Sequence, residues 1–286
     1  MIRTAIPNKG PLASEAAQLL RNVGLHVPNA TDRKLLVDSN KGQYQILFAS
    51  PWDIPRYVQT GATDLGITGM DIIQETGNDL KVLLPLNFGS CRLSLAAPES
   101  SPAKSAKDVG EGATVATSFP HIVRSFFERL GKNVRIVEVR GAAEVTPGIG
   151  AADYIADLVE TGSTIRMNHL KVLDVIMESQ AMLVTGTSRT EENDSDIREF
   201  ISAIRSVLDA ETRRYLMANV PSAKLAEIRS FLPGISGPTI MTLAGRDDMV
   251  AMHVVVKADE VNSIIPRLKN AGCTGILVVS IDRMVT

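Results

Sequence analysis

The sequence predicts an α/β protein of two lobes, followed by a small ferredoxin-like α+β domain. Three observations lead there. Short apolar runs alternate with helical periodicity through most of the chain, the signature of mostly parallel sheets flanked by helices. A polar, proline-rich patch, Pro98-Glu99-Ser100-Ser101-Pro102, opens a second series of such units, and an apolar run at residues 180–184 brings the chain back from it. The tail changes character and alternates fewer helices with longer strands. The expected domains are therefore residues 1–92 with 180–210 (lobe I), 93–179 (lobe II) and 211–286.

Element by element, residues 2–6 form a strand closed by Pro7-Asn8-Lys9-Gly10. Residues 11–23 form a helix with Leu12, Ala16, Leu19, Leu20 and Val23 on one face, Pro11 in its first turn and Gly24 at its stop. Residues 44–49 are a strand, 54–60 a short helix ended by Gly61, and 64–69 a buried strand opening into a glycine loop. In lobe II, 91–97, 113–117, 134–139, 154–158 and 170–176 are strands and 122–130 a helix. Residues 180–184 form a strand, 185–196 a polar stretch and 197–208 a helix. The tail has helices at 222–231 and 259–271 and strands at 238–243, 249–256 and 275–280. Two lobes joined in this way resemble a hinged binding protein, whose ligand lies in the cleft at the carboxyl ends of the strands.

Composition narrows the function. Among 286 residues, 30 Lys and Arg face 32 Asp and Glu, a net charge of −2, and aromatic residues make up 4%. Neither a basic face nor a base-stacking platform follows, so nucleic acid and membrane surfaces are not expected partners. The 44% hydrophobic content is enough for a real core. No apolar stretch approaches the ~20 residues of a membrane span, and the start of the chain shows no signal peptide. Cys91 and Cys273 lie far apart and read as two buried thiols of a reducing cytoplasm. The four histidines show no metal spacing. A nucleophile elbow, a P-loop and a dinucleotide glycine fingerprint are all missing, which removes the hydrolase, P-loop NTPase and dehydrogenase readings.

The strongest local signal runs from Asp153 through Asp157 to Glu160-Thr161-Gly162-Ser163-Thr164. A strand ends in acids, and a hydroxyl-rich turn with one glycine comes next. Backbone N–H groups of such a turn make a concave anion cradle, and carboxylates beside it can grip the hydroxyls of a sugar phosphate. The same tetrapeptide also serves as a plain polar turn. Lys9, after the first strand, is either a cleft cation or a solvated surface lysine. Arg92, on an apolar strand, pairs with a ligand phosphate or a nearby acid. Asp64, Gly66, Thr68, Gly69 and Asp71 either line a nucleotide pocket or turn the chain. His121 opens a helix of the second lobe.

Several motifs together resemble ATP phosphoribosyltransferase in its long form. They are Ile6-Pro7-Asn8-Lys9-Gly10, Trp52-Asp53-Ile54-Pro55-Arg56-Tyr57-Val58, Asp64-Leu65-Gly66-Ile67-Thr68-Gly69, the run from Phe88 to Ala96, Ala116-Thr117-Ser118-Phe119-Pro120 and the run from Ala152 to Thr164. Pro238-Thr239 and the run from Gly272 to Val279 resemble the tail of that family. The resemblance implies lobes of periplasmic-binding-protein type and an ACT-like regulatory domain. It implies transfer of phosphoribosyl from phosphoribosyl pyrophosphate to N1 of ATP, with Mg2+ as cofactor, in the first step of histidine biosynthesis. It further implies feedback inhibition by histidine and a cytoplasmic homo-oligomer, dimer to hexamer. Its assignments are Lys9, Arg92 and Asp157 as catalytic residues, and Asp153 with Asp157 as metal ligands. Glu144, Asp153, Glu160, Thr161, Gly162, Ser163 and Thr164 bind the sugar phosphate, and Asp64, Thr68, Gly69 and Asp71 lie on the ATP side. Asn219, Ser236 and Thr239 form the allosteric site. The alternative is a two-lobed anion-binding or regulatory protein without turnover.

Overall fold

Two sheets, and two crossings of the chain between them, organise the first unit of the computed structural model, which describes residues 1–28, 34–160, 162–186, 194–232, 234 and 237–285. The chain begins β1 (Ile2–Pro7), α1 (Pro11–Asn22), β2 (Leu36–Ser39), β3 (Tyr44–Ala49), α2 (Ile54–Gln59), β4 (Leu65–Gly69), α3 (Met70–Thr76) and β5 (Leu80–Pro85). It continues with β6 (Cys91–Pro98), β7 (Thr114–Thr117), α4 (Pro120–Arg129), β8 (Arg135–Glu138), β9 (Tyr154–Val159), α5 (Ser163–Met167) and β10 (Leu170–Ser179). It returns through β11 (Ala181–Gly186) to α6 (Ser195–Glu211).

The first sheet has the order β2-β3-β1-β4-β11-β5 and the second β10-β6-β9-β7-β8. Each has a parallel three-stranded core, β3-β1-β4 and β8-β7-β9. Each core is flanked by an antiparallel strand that the chain lays down as it crosses from the other sheet: β6 beside β9, and β11 beside β4. The crossings are bonded to one another. Leu86 N–H donates to Ala181 O and Ala181 N–H to Phe88 O, both at 3.0 Å, and Met70 N–H donates to Gln180 O at 3.0 Å. This is the hinged two-lobe architecture that the sequence predicts.

Local sequence explains the elements. In α1, Pro11 stands at the start behind Gly10 (φ 80°), and Ala16, Ala17, Leu19 and Leu20 are buried on the face turned to the sheet. β4 is buried along its whole length, as a central strand covered on both faces must be. Gly66 serves packing, not a ligand. A Cβ there would meet Ile54 Cγ2 at 2.6 Å and Val58 Cγ2 at 2.7 Å, so its absence lets α2 lie directly on the strand. Among the described residues, β2, α3, β5, α5 and the strand over 213–221 are additions to the elements expected from periodicity.

The chain divides into two compact units, Met1–Ile201 and Ser202–Thr286. The division falls inside α6, which continues unbroken to Glu211, next to the boundary expected at 210/211. The second unit adds β12 (Arg213–Pro221), α7 (Leu225–Phe231), β13 (Thr239–Leu243), β14 (Arg246–Lys257), α8 (Val261–Asn270) and β15 (Thr274–Ser280). Its sheet, β13-β14-β12-β15, is antiparallel throughout, and the βαββαβ order is ferredoxin-like, as expected. Leu216, Ala218, Val220, Met252, Val254 and Val256 alternate onto one face and pack with Ile228 of α7 and with Ile264 and Leu268 of α8. The other face carries exposed Tyr215, Met241, Leu277 and Val279.

Candidate active site

Three cavities of the first unit succeed one another along the carboxyl ends of the parallel strands. The middle one, about 400 Å³, is lined by Glu144, Asp157, Glu160, Gly162, Ser163 and Thr164, together with Cys91 and Ala142. A larger one of about 700 Å³ lies between the lobes. Lys9, Ser50, Trp52 and Asp53 face it from the ends of β1 and β3, and Ser118, Glu138, Arg140 and Gly141 from the ends of β7 and β8. The two come together at Gly141 and Ala142, both in the left-handed region (φ 112° and 51°). The third, about 470 Å³, lies at the crossings. It contains Ser90, Arg92, Glu178 and Ser179, and shares Cys91, Val159 and Glu160 with the middle one.

The middle cavity is built by β9 and the turn that leads from it into α5. Ile155 and Ala156 bury the strand, Asp157 stands half-buried near its end, and Gly162 (φ 73°) turns the chain into the helix. The left-handed backbone explains the glycine. The leading N–H groups of a helix have no intrahelical acceptor, and Ser163 and Thr164 stand in that leading turn and line the cavity. Burial pushes the Asp157 carboxyl up from its ordinary range; the Leu158 N–H, which it accepts at 2.8 Å, pulls it back, and the nearby Glu144 charge raises it further. Two carboxylates that sense each other across one cavity are suited to gripping sugar hydroxyls or a cation. Thr161 lies outside the described residues.

The other expected site residues divide. Lys9 reaches the interlobe cavity and Arg92 the crossing cavity. Asp153 does not join Asp157. It lies at the start of β9, where its carboxylate accepts Thr114 N–H at 2.8 Å and Thr114 Oγ1–H at 2.7 Å, which hold it below the usual carboxylate range. Four residues of strand separate the two acids by roughly 13 Å, so Asp153 joins β9 to β7 and does not line the middle cavity with Asp157. Asp64 is likewise at the wrong end of its strand, accepting Arg3 N–H at 2.7 Å. Thr68 is buried and donates to Pro51 O at 3.0 Å. Gly69 leaves room for its neighbour: a Cβ there would meet the Asp71 carboxylate at 2.1 Å. Asp71 is buried against Ser179, and its carboxyl is raised by that burial while the Ser179 hydroxyl pulls it back. None of these four is among the residues lining the three cavities. His121 contributes its backbone N–H, which bonds to Glu75.

Sequence reasoning gave no site role to Trp52, Asp53, Ser118, Glu138 or Arg140, although the first three stand in motifs that carry the resemblance. Their common signal was position, each within a few residues of the carboxyl end of a parallel strand. Cys91, between the middle and crossing cavities, is a free thiol. Burial, with Asp71 and Glu160 nearby, pushes it up to about 11, so it is no nucleophile at neutral pH. Among the described residues no group of three or more His, Cys, Asp and Glu could hold a metal ion, and no helix is long and apolar enough to cross a membrane. In the second unit, Asn219 is paired with Ala251 and Thr239 with His253, which puts both on the outward face of the sheet. Ser236 lies outside the described residues.

The fold defines a two-lobed α/β protein with a ferredoxin-like domain at its C-terminus. Comparison with known proteins makes this specific: the chain belongs to the ATP phosphoribosyltransferase family. The family model described as ATP phosphoribosyltransferase matches residues 50–206, and the model of that family's C-terminal domain matches 210–283. A relative named ATP phosphoribosyltransferase from Natronomonas pharaonis is 47% identical over 284 residues, covering 99% of this chain and 100% of its own. One from Methanococcoides burtonii is 44% identical, with 100% of each chain covered. Among solved structures, a chain of the ATP phosphoribosyl transferase (HisG:HisZ) complex from Thermotoga maritima superimposes with a TM-score of 0.64 at 25% identity, covering 73% of this chain and 99% of that one.

Proposed function

We propose that this chain transfers the 5-phosphoribosyl group of phosphoribosyl pyrophosphate to N1 of ATP, releasing pyrophosphate, as the first step of histidine biosynthesis in the cytoplasm. The observation that carries the site assignment is the convergence of Asp157, Glu144, Glu160, Gly162, Ser163 and Thr164 on one cavity, directly beside a larger interlobe cavity holding Lys9 and Arg140. The turn takes the 5-phosphate, and Asp157 and Glu144 accept from ribose hydroxyls. Lys9, Arg140 and Arg92 offset the charge of the pyrophosphate and of the nucleotide phosphates. The purine takes the interlobe cavity beside Trp52.

The reaction breaks the C1–O bond to pyrophosphate and forms the C1–N1 bond. Positive charge grows on the sugar and negative charge on the leaving group, so carboxylates at the one and cations at the other stabilise the transition state. Holding two polyanions in line supplies most of the remainder. No covalent nucleophile is required. Mg2+ fits this donor set: it prefers one or two carboxylates plus substrate phosphates to an all-protein cage, and Asp157 with Glu144 provides that pair. Bound with pyrophosphate, it would neutralise the leaving group. We assign histidine inhibition to the outward face bearing Asn219 and Thr239, and a homo-oligomeric state to the assembled enzyme.

The test is incubation of the full chain with ATP, phosphoribosyl pyrophosphate and Mg2+, following phosphoribosyl-ATP by absorbance. Product formation is expected. Tight binding of either substrate without product would favour the anion-binding alternative.

A further inference from the structure

Helix α4 has no cap of its own. Phe119 occupies its N-cap position and supplies no side-chain acceptor, and the helix starts with Pro120. The acceptor comes from the other lobe. Glu75, near the end of α3, accepts His121 N–H at 2.9 Å (Oε1) and 3.1 Å (Oε2), and Ile122 N–H at 3.0 Å (Oε2). A carboxylate against leading N–H groups is the favourable arrangement for charge and dipole alike. A second contact stands beside it. The Trp52 ring, 40% exposed in the interlobe cavity, packs against buried Phe119 at 5.3 Å between centroids. From this point bonds run into the cavity wall: Ser118 Oγ–H donates to Val139 O at 2.7 Å, tying the loop after β7 to the loop that carries Arg140.

We infer that Glu75 is a positioning residue. It clasps α4 from across the cleft and so holds Ser118, Arg140 and Trp52 in place around the nucleotide. The inference rests on the reading of the interlobe cavity as the ATP site. The reporter is built in, because Trp52 is the chain's only tryptophan.

In Glu75→Ala, Trp52 emission should become more accessible to acrylamide. The KM for ATP should rise roughly three- to tenfold, the size of a lost helix cap, while kcat changes less. Glu75→Gln keeps one acceptor oxygen and should restore part of both effects; it also carries the comparison if the alanine variant does not fold. Wild-type quenching together with a wild-type KM would overturn the inference. So would a lowered Tm with both readouts unmoved, since that is a purely structural role. If the wild-type chain makes no phosphoribosyl-ATP, the reaction itself is wrong, and the quenching comparison alone decides the clasp.

Discussion

Ser179 and Asp71 hold each other inside the crossing between the lobes: the Ser179 hydroxyl donates to Asp71 Oδ1 at 2.6 Å and accepts the Asp71 N–H at 3.0 Å. Both side chains are buried. The pair joins the start of α3 to the end of β10, where the chain returns to its first sheet. A carboxylate in that position needs the hydroxyl.

Ser179→Ala should therefore cost about 1.5–3 kcal/mol at pH 7, the range for a buried bond to a charged group. The pH dependence has a definite sign. Burial raises the Asp71 carboxyl above its ordinary 3.8, so the folded state binds a proton that the unfolded chain has released, and stability falls as pH rises from 3.8 through the raised value. Removing Ser179 takes away a lowering influence and deepens that fall. Urea unfolding of both forms at pH 4 and pH 7 should show the smaller difference at pH 4.

Gly162→Val tests the anion turn. The left-handed backbone (φ 73°) costs a side-chain-bearing residue about 1–2 kcal/mol, and the new Cβ would stand 3.2 Å from Arg166 Nη1. The KM for phosphoribosyl pyrophosphate should rise at least about tenfold, with Tm only modestly lowered. An unchanged KM in steady-state kinetics would remove the phosphate from this turn.

Asp157→Asn should lower kcat/KM by about a hundredfold, as for loss of one charge-stabilising group at a reacting centre. Asp157 acts ionised, and burial puts its titration above 3.8. The wild-type rate should accordingly drop on the acid side from a pH above that value, and the asparagine variant should lose this limb. A pH–rate profile of kcat/KM for the two proteins checks both points.

Asp153→Asn should leave kcat/KM within about twofold and act on stability alone. The Thr114 bonds lower the Asp153 carboxyl, so its contribution is present above 3.8 and lost as the pH falls through the depressed value. The group is exposed, so solvent screening limits the loss to about 0.5 kcal/mol. Thermal melts at pH 7 beside the kinetic assay make the comparison.

Asp153 also shows where a linear reading stops. The strand over 154–158 and the turn after it were legible because apolar alternation, two acids and a glycine stand together in the chain. Which acid meets the cavity depended on strand direction: Asp153 and Asp157 are near neighbours in sequence but stand toward opposite ends of β9. Asp64 was misplaced for the same reason, at the far end of β4. The missed strands have weak local signals. β5 (Leu80–Pro85) gains its only sheet partner from β11, about a hundred residues on. β12 begins Arg213-Arg214 and ends in Pro221, a poor strand advertisement that tertiary pairing on both sides overrides. The cleft between the lobes was expected, but of its lining only Lys9 was legible, because the rest comes from separate loops that only the folded sheets assemble.

The placement of β11 between β4 and β5 has a consequence during synthesis. Everything the second sheet needs lies in one uninterrupted stretch, from β6 to β10, whereas the first sheet has a gap at its centre until residue 186 has left the ribosome. Until then β4 has one unpaired edge and β5 no sheet partner at all, the sort of raw border on which nascent chains stick together. The later half of the architecture is thus the one able to finish first, and truncations that stop short of β11 should aggregate where a fragment holding β6 through β10 stays in solution.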